Sequence, residues 1–158
     1  MIVVSDTSPI TSLLAIERID LLKKLYDEVT IPPAVKDELE VCHSNLPAFL
    51  RVMAPKNNER VRVLTSRLDP GEAEAIVVAS ELHADCLLMD ETLGRSVARE
   101  EDIPVIGLVG ILLLAKERGM ITNVGDILDA LKNQAGFYLA DNIRIFALKN
   151  AGESVKRS

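Results

Sequence analysis

The sequence predicts an α/β protein with three layers, in which helices cover both faces of a short parallel sheet. Four short apolar segments have the composition of buried parallel strands, and they occupy residues 2–4, 28–31, 86–89 and 104–107. Helical stretches separate these segments, an alternation that is typical of a parallel sheet covered on both sides. The chain has 158 residues, 48% of them hydrophobic, which suffices for one domain with an aliphatic core.

The helices follow from apolar periodicity and from the residues that start and stop each helical stretch. Residues 57–67 fit either a helix or a strand, and a helix is favoured. Six other helices are predicted within the strand-containing part of the chain: residues 9–16, 19–26, 33–42, 70–83, 91–101 and 108–118.

Two further helices are predicted beyond the last strand, at residues 124–134 and 140–150. We therefore expect a single domain with a core of about residues 1–120 and a helical extension over about residues 121–150. The polar residues 151–158 are predicted to be a mobile tail.

Composition excludes several classes of protein. The net charge of −6 argues against a general nucleic-acid coat protein, although it permits an enzyme that handles nucleic acid through metal ions. The longest nearly apolar run, residues 103–115, is too short to span a bilayer, and the first residues lack the basic region of a signal peptide. Cys42 and Cys86 match no disulfide or metal-binding pattern. We expect a cytoplasmic protein without a membrane partner.

Charge is uneven along the chain. Residues 51–67 carry five basic residues against Glu59 alone, a local net charge of +4. Two interpretations remain open, a solvated helix face and a rim that contacts phosphate groups.

Two acids follow predicted strands. Asp6 lies in "VVSDTSP", where Ser8 and Pro9 already provide an N-cap and a first helical residue, so Asp6 is not needed for capping. Asp90 follows "CLLM", and it either caps the next helix or serves a site. Ligands of open α/β sheets bind at the carboxyl ends of the strands. Both acids are therefore expected at the same edge of the sheet.

Glu38 lies on the apolar face of its predicted helix. In residues 33–42 it falls among the apolar side chains, whereas Asp37 and Glu40 lie on the opposite side. A carboxylate in a buried stripe is costly unless it is paired or binds a ligand. Glu38 is therefore a candidate for a functional role, with a buried salt bridge and a frayed last turn as the alternatives.

Glu72 repeats this pattern in residues 70–83, where Glu74 and Glu81 lie on the polar side. The segment Asp69-Pro70-Gly71-Glu72 also fits a capping box, in which a glutamate occupies the third helical position. A structural and a functional interpretation of Glu72 both remain open.

Four carboxylates gathered at one edge would repel one another without a positive charge. Oxygen ligands suit Mg²⁺ or Mn²⁺, and such ions orient water and stabilise the transition state of phosphate hydrolysis. Phosphate-binding and zinc-protease motifs are absent from the sequence, as is the dinucleotide-binding motif. The four acids therefore predict a site for a hard divalent cation.

Three segments, "VVSDTSP", "IPPAVKDELE" and "LDPGEAEAIVVASELHADCLLMDETLGRSVA", together resemble the PIN-domain nucleases, and in particular a prokaryotic branch related to the VapC toxins of toxin–antitoxin pairs. The resemblance covers roughly residues 1–120. It implies that the acids of the site are Asp6, Glu38, Glu72 and Asp90, and that Thr7 supports them.

The resemblance also implies a function. We expect a PIN-like fold with additional C-terminal helices and an Mg²⁺- or Mn²⁺-dependent endoribonuclease that cleaves single-stranded RNA. Arg95, one turn into the helix after Asp90, is either a phosphate contact or a solvated side chain. A toxin of this kind would have an antitoxin-like partner and could form a homodimer. The alternative is a non-catalytic PIN-like module that binds RNA or a protein.

Overall fold

The computed structural model of the chain describes residues 1–155 and has the α/β architecture that the sequence predicts. A sheet of five parallel strands lies at its centre, in the spatial order third, second, first, fourth and fifth along the chain. The strands are β1 (Val3–Ser5), β2 (Val29–Ile31), β3 (Leu50–Val52), β4 (Cys86–Leu88) and β5 (Val105–Ile106).

The helices connect and follow these strands. Every helix that the sequence predicts is present, including the one favoured within residues 57–67, where the side chain of Asn57 caps the helix by accepting a hydrogen bond from the N–H of Arg60. Within residues 1–155 the helices are α1 (Thr7–Ala15), α2 (Asp20–Tyr26), α3 (Pro33–Cys42), α4 (Asn58–Leu64), α5 (Pro70–Glu81), α6 (Thr92–Glu100), α7 (Leu108–Glu117), α8 (Val124–Ala135) and α9 (Asp141–Asn150).

Strand β3 is the element that the sequence prediction missed. It is an edge strand of three residues, and only Leu50 is buried, while Arg51 and Val52 are exposed. A single inward-facing residue leaves no apolar run that periodicity can detect. The other four strands lie where their apolar segments predict them.

The side chains of the strands point alternately to the two faces of the sheet, and helices pack on both faces to give three layers. Val3 and Leu88 pack into a cluster with residues of α1, α2, α3, α7, α8 and α9 on one face of the sheet. Val4 and Leu87 pack into a second cluster with residues of α4, α5 and α6 on the other face. Because successive side chains of a strand point to opposite faces, β1, β4 and β5 contribute to both clusters, whereas the buried residues of β2 and β3 belong to the first. No helix within the described residues, 1–155, has the length and hydropathy of a membrane span.

The strand order reverses beside β1. The chain moves outward from β1 to β3 and then returns to β4 on the other side of β1, so the order reverses at the β1–β4 pair. The N–H of Asp6 donates to the carbonyl of Leu88 across the ends of these strands, at 3.0 Å. A reversal of strand order at carboxyl ends is where ligands bind in open α/β sheets.

Helix α5 holds two neighbouring helices through carboxylates. Glu74 accepts a hydrogen bond from the N–H of Ala34 in the first turn of α3, at 3.1 Å. Glu81 accepts from the N–H groups of Lys56 and Asn57, which precede α4, at 2.9 and 2.8 Å. Both acids therefore satisfy backbone donors that helices leave unpaired at their N-termini.

Glu153, within the segment 151–158 that was predicted to be mobile, is held by hydrogen bonds to α7 and α8. Its carboxylate accepts hydrogen bonds from the first two N–H groups of α8, at 2.7 and 3.0 Å, and from Lys116 at 3.0 Å. Burial raises the pKa of Glu153, but these donors outweigh it and hold the pKa below its usual range. The rest of the predicted tail, residues 156–158, lies outside the described residues.

Replacing Glu153 by glutamine should lower the free energy of unfolding by about 1–2 kcal/mol at pH 7, since charge-assisted hydrogen bonds to α8 are lost. The depressed pKa means that the stabilisation is present above the ordinary carboxyl pKa and is lost as the pH falls through the folded-state value. The difference in unfolding free energy between wild type and the variant, measured with urea, should therefore be smaller at about pH 4 than at pH 7. Glu117→Gln, an exposed acid near the end of α7, is the control. A deficit of equal size at both pH values would contradict this account.

Candidate active site

Asp6 is buried at the start of α1. The helix begins at Thr7, two residues earlier than predicted, so the N-cap is Asp6 and the prediction that Ser8 caps α1 is wrong. Pro9 is accommodated as the third helical residue because the first N–H groups of a helix have no intrahelical partner. The Asp6 side chain makes no capping hydrogen bond further into the helix. Its carboxylate accepts a hydrogen bond from the N–H of Thr7.

The electrostatic surroundings of Asp6 are acidic. Its side chain is 4% exposed, and burial is the main cause that raises its pKa from 3.8 to about 7. The Thr7 N–H lowers the pKa, and the charges of Asp69, Glu72 and Glu38 raise it further. Two of the predicted site acids, from α3 and α5, therefore lie within electrostatic reach of Asp6. Asp69 is an additional acid that the sequence analysis treated only as a helix cap.

Glu38 is joined to α1 by a hydrogen bond. Thr7 Oγ1 donates to Glu38 Oε2 at 2.6 Å. Residue 38 is exposed, so the prediction that it lies in a buried stripe is wrong. The buried residues of α3 are Val35 and Leu39, and its last turn extends beyond the core, where Val41 is 83% exposed. Thr7 thus contacts both Asp6, through its amide, and Glu38, through its hydroxyl.

Glu72 takes part in the capping box and is buried. Its N–H donates to Asp69 Oδ1 at 2.8 Å, and Glu72 Oε1 accepts from the N–H of Asp69 at 3.2 Å. Burial is the main cause that raises the pKa of Glu72 to about 7, and the charges of Asp69 and Glu91 also raise it. The interpretation of Glu72 as part of a capping box is therefore correct. The capping box uses Oε1 of Glu72 and leaves Oε2 for another contact.

Asp90 caps a different helix from the one expected. Its Oδ1 accepts a hydrogen bond from the N–H of Leu108, the first residue of α7, at 2.9 Å. The N-cap of α6 is Glu91, so the interpretation of Asp90 as the cap of the following helix is wrong. The strand pairing explains this, because the carboxyl end of β4 adjoins that of β5, where α7 begins. Burial raises the pKa of Asp90, against the lowering effects of the Leu108 amide and of Arg95.

The side chain of Arg95 is hydrogen-bonded to the protein rather than fully solvated. Its Nη1 donates to the carbonyl oxygen of Met89 at 3.0 Å, and its charge lowers the pKa of Asp90. The side chain is half-buried between α6 and the start of α7. This contact supports the position of Asp90.

Three glycines that the sequence analysis did not single out lie against the acids. An added Cβ at each would approach a carboxylate oxygen more closely than side chains normally do. Glycine in a helical turn costs about 1 kcal/mol relative to alanine, which is the signal that could have drawn attention to two of them. The pairs are Gly71 with Glu38 Oε1 (2.6 Å), Gly94 with Glu72 Oε2 (3.0 Å) and Gly107 with Asp90 Oδ1 (2.8 Å).

A protein-family model described as a PIN domain matches residues 2–153. The chain belongs to the PIN-domain family. PIN domains are generally nucleases, which makes this chain a hydrolase at the level of class. The match extends through α9, beyond residues 1–120, the part of the chain whose motifs resemble this family. No curated protein and no solved structure matches the chain.

The acids of this PIN domain suit a hard divalent cation in their chemistry. All charged neighbours that shift the pKa of Asp6 are acids, so a cation would supply the missing positive charge. Glu38, Glu72 and Asp90 each use one oxygen in a hydrogen bond that orients the carboxylate, as the ligands of metal sites do. In the side-chain positions described for residues 1–155, no group of three or more His, Cys, Asp or Glu forms a metal site. The carboxylate oxygens are of the type that such an ion prefers, but among the described residues they do not surround one point.

The basic segment 51–67 of the PIN domain is largely paired with acids. Two of these pairs lie at the C-terminal end of α6, which leads to the amino end of β5 and so to the edge opposite Asp90. These contacts favour the structural interpretation of the segment over a rim that contacts phosphate groups. The pairs are Arg60 with Glu101, Arg62 with Glu59 at 2.5 Å and Arg67 with Glu100 at 3.9 Å.

Asp6→Asn should stabilise the metal-free PIN domain at pH 8. The raised pKa means that the folded state binds the proton more tightly than the unfolded state, so wild-type stability falls as the pH rises from 3.8 to about 7. Asparagine keeps an acceptor for the Thr7 amide and removes the buried charge. The expected gain is on the order of 2–4 kcal/mol at pH 8 and vanishes near pH 4.

Urea unfolding in EDTA across this pH range measures the effect. Asp37→Asn is the control, because Asp37 is an exposed acid on α3 and its loss removes the same charge. A variant that is less stable than wild type at pH 8 would show that the charged form of Asp6 is favourably paired.

Proposed function

We propose that this PIN domain is a divalent-metal-dependent endoribonuclease that hydrolyses phosphodiester bonds of single-stranded RNA. The observation that carries the proposal is Asp6, a buried carboxylate at the carboxyl end of the central strand whose charged neighbours are acids. Such a group is costly to fold without a ligand, and it lies where α/β sheets bind ligands. Membership of a family that generally consists of nucleases supports the reaction class.

The residues that would hold Mg²⁺ or Mn²⁺ are Asp6, Glu38, Glu72 and Asp90. When bound, the ion would orient the attacking water and stabilise charge on the phosphate. The chain orients Asp6, Glu72 and Asp90 through backbone amides at three helix N-termini, those of Thr7, Asp69 and Leu108. Amide donors at such positions favour the charged form of a carboxylate.

Two further residues support the acids in this proposal. Thr7 holds Glu38 beside Asp6 through its hydroxyl group. Arg95 contacts the carbonyl of Met89 and places its positive charge near Asp90. We assign Arg95 to the orientation of Asp90 rather than to the substrate.

The proposal extends to a cellular role. The motifs that resemble the VapC-related branch suggest the toxin of a toxin–antitoxin pair, with an antitoxin-like protein as partner and a homodimer as its assembly. The cysteines Cys42 and Cys86 are unpaired, which suits a cytoplasmic protein. A short neighbouring gene for a DNA-binding protein would support the toxin role.

A non-catalytic PIN-like module that binds RNA or a protein is the second candidate. The observation that favours it is the dispersed arrangement of the carboxylates in residues 1–155, none of which form a group of three around a cation. A cleavage assay separates the two functions.

Purified protein should cleave single-stranded RNA in Mg²⁺ or Mn²⁺, and EDTA should abolish the cleavage. Asp6→Asn should reduce the rate by at least about 100-fold, because loss of a ligand should cost no less than loss of a residue that orients one. Asp37→Asn, the exposed control on α3, should cleave at the wild-type rate. Cleavage that persists in EDTA would contradict the metal-dependent mechanism. Tight RNA binding without cleavage across a broad panel would favour the non-catalytic module.

A melting experiment distinguishes ligands from helix caps. Glu72→Gln keeps the capping box, and Asp90→Asn keeps an acceptor for the amide of Leu108. Mn²⁺ should raise the melting temperature of wild type, since an ion at 100 times its dissociation constant adds about 2.7 kcal/mol to stability. Both variants should lose most of this rise and should be at least as stable as wild type in EDTA. The same metal-induced rise in wild type, both variants and the Asp37→Asn control would mean that Glu72 and Asp90 only cap helices.

A further inference from the structure

Gly71 occupies the second helical position of α5 and is in contact with a carboxylate from another helix. A Cβ added to it would meet three atoms of one group first: Oε1 of Glu38 at 2.6 Å, Cδ at 3.2 Å and Oε2 at 3.3 Å. Real Cβ atoms essentially never approach another atom as closely as the first of these distances. The missing side chain of Gly71 therefore leaves the space in which the Glu38 carboxylate lies.

The other oxygen of this carboxylate accepts a hydrogen bond. Thr7 Oγ1 donates to Glu38 Oε2 at 2.6 Å. The two helices that face each other here are themselves joined, because Glu74 of α5 accepts from the amide of Ala34 at the start of α3. Glu38 is thus held between the hydroxyl group of Thr7 and the backbone of Gly71.

We propose that Gly71 is a positioning residue of the metal centre, which acts by setting the place of the Glu38 carboxylate. This inference rests on the proposed function, because it assigns Gly71 a role toward the divalent ion. The backbone of Gly71 is helical, so alanine fits its conformation and is favoured there by helix propensity. The reason for glycine is the close approach of Glu38, and the same turn of α5 carries Glu72 as the next residue.

The same arrangement recurs at the other two glycines, where it is less easily isolated. A Cβ at Gly94 would also meet the sulfur of Met89 at 2.5 Å, and a Cβ at Gly107 would also meet Arg95 Nη1 at 2.7 Å. Substitution there would disturb the core or the Arg95 contact as well as a carboxylate. Gly71 is therefore the position at which the effect on an acid can be tested separately.

The test is the affinity for Mn²⁺, measured by calorimetry and by melting, for wild type and for Gly71→Ala. The added methyl group should displace the flexible end of Glu38 while α5 stays folded, so the variant should melt cooperatively in EDTA and bind Mn²⁺ at least tenfold more weakly than wild type. In a Glu38→Gln background the same substitution should cause no further loss, because non-additivity is expected when one residue acts through another.

Gly125→Ala is the matched control. Gly125 is also the second residue of a helix. An added Cβ there would lie 3.2 Å from Asn123 Oδ1 and from Leu148 Cδ2 and 3.4 Å from Glu153 Oε1, all of them outside the site. This variant should bind Mn²⁺ as wild type does. If wild type binds Mn²⁺ and Gly71→Ala binds it equally well, or if the losses from Gly71→Ala and Glu38→Gln add, the inference is wrong and the proposed function stands. If wild type itself binds no Mn²⁺, the proposed function fails and the inference fails with it.

A compensated variant covers the case in which Gly71→Ala does not fold. Glu38→Asp shortens the acid by one methylene group and withdraws its carboxylate from Gly71. In that background the methyl group of Gly71→Ala should be accommodated, and both Glu38→Asp proteins should fold and bind Mn²⁺ with the same affinity. Unfolding or weaker binding of the double variant relative to Glu38→Asp alone would show that the methyl group clashes elsewhere and would overturn the inference.

Discussion

The hydrogen bond from the Asp6 amide to the Leu88 carbonyl joins the ends of β1 and β4, and the candidate site depends on it. It places a carboxylate beneath the start of α1, where Asp6 is almost inaccessible to solvent. The neighbouring acids then come from the elements that pack around this junction. The charged groups that act on Asp6 are all acids, and together with burial they raise its pKa.

The acids of this edge have two roles that do not exclude each other. Glu72 and Asp90 each satisfy a backbone donor near the start of a helix, and each does so with a single oxygen. A helix cap and a metal ligand are often treated as competing explanations for such a residue. A carboxylate has two oxygens, so the cap fixes its direction while the second oxygen remains for another partner.

The sequence predicted the parts of this structure that depend on local pattern. Asp6 and Asp90 each follow a predicted strand, and this placed them at the same edge of the sheet. A parallel sheet covered on both faces also predicts that neighbouring residues such as Val3 and Val4 are buried on opposite faces. The exposure of Glu38 could not be predicted, because it depends on how far α3 extends past the core. The contact of Gly71 with Glu38 joins residues 33 positions apart, and no periodicity within one helix encodes it.

The position of α5 has a consequence for local unfolding. Its carboxylates hold the first turn of α3 through Ala34 and the approach to α4 through Lys56 and Asn57, and most of its own residues are buried. Opening α5 would therefore release the starts of two other helices, so we expect these three helices to exchange their amide hydrogens as one cooperative unit. The first turn of α5, which carries Glu72, is thus linked to the starts of α3 and α4, while the last turn of α3 extends past the core.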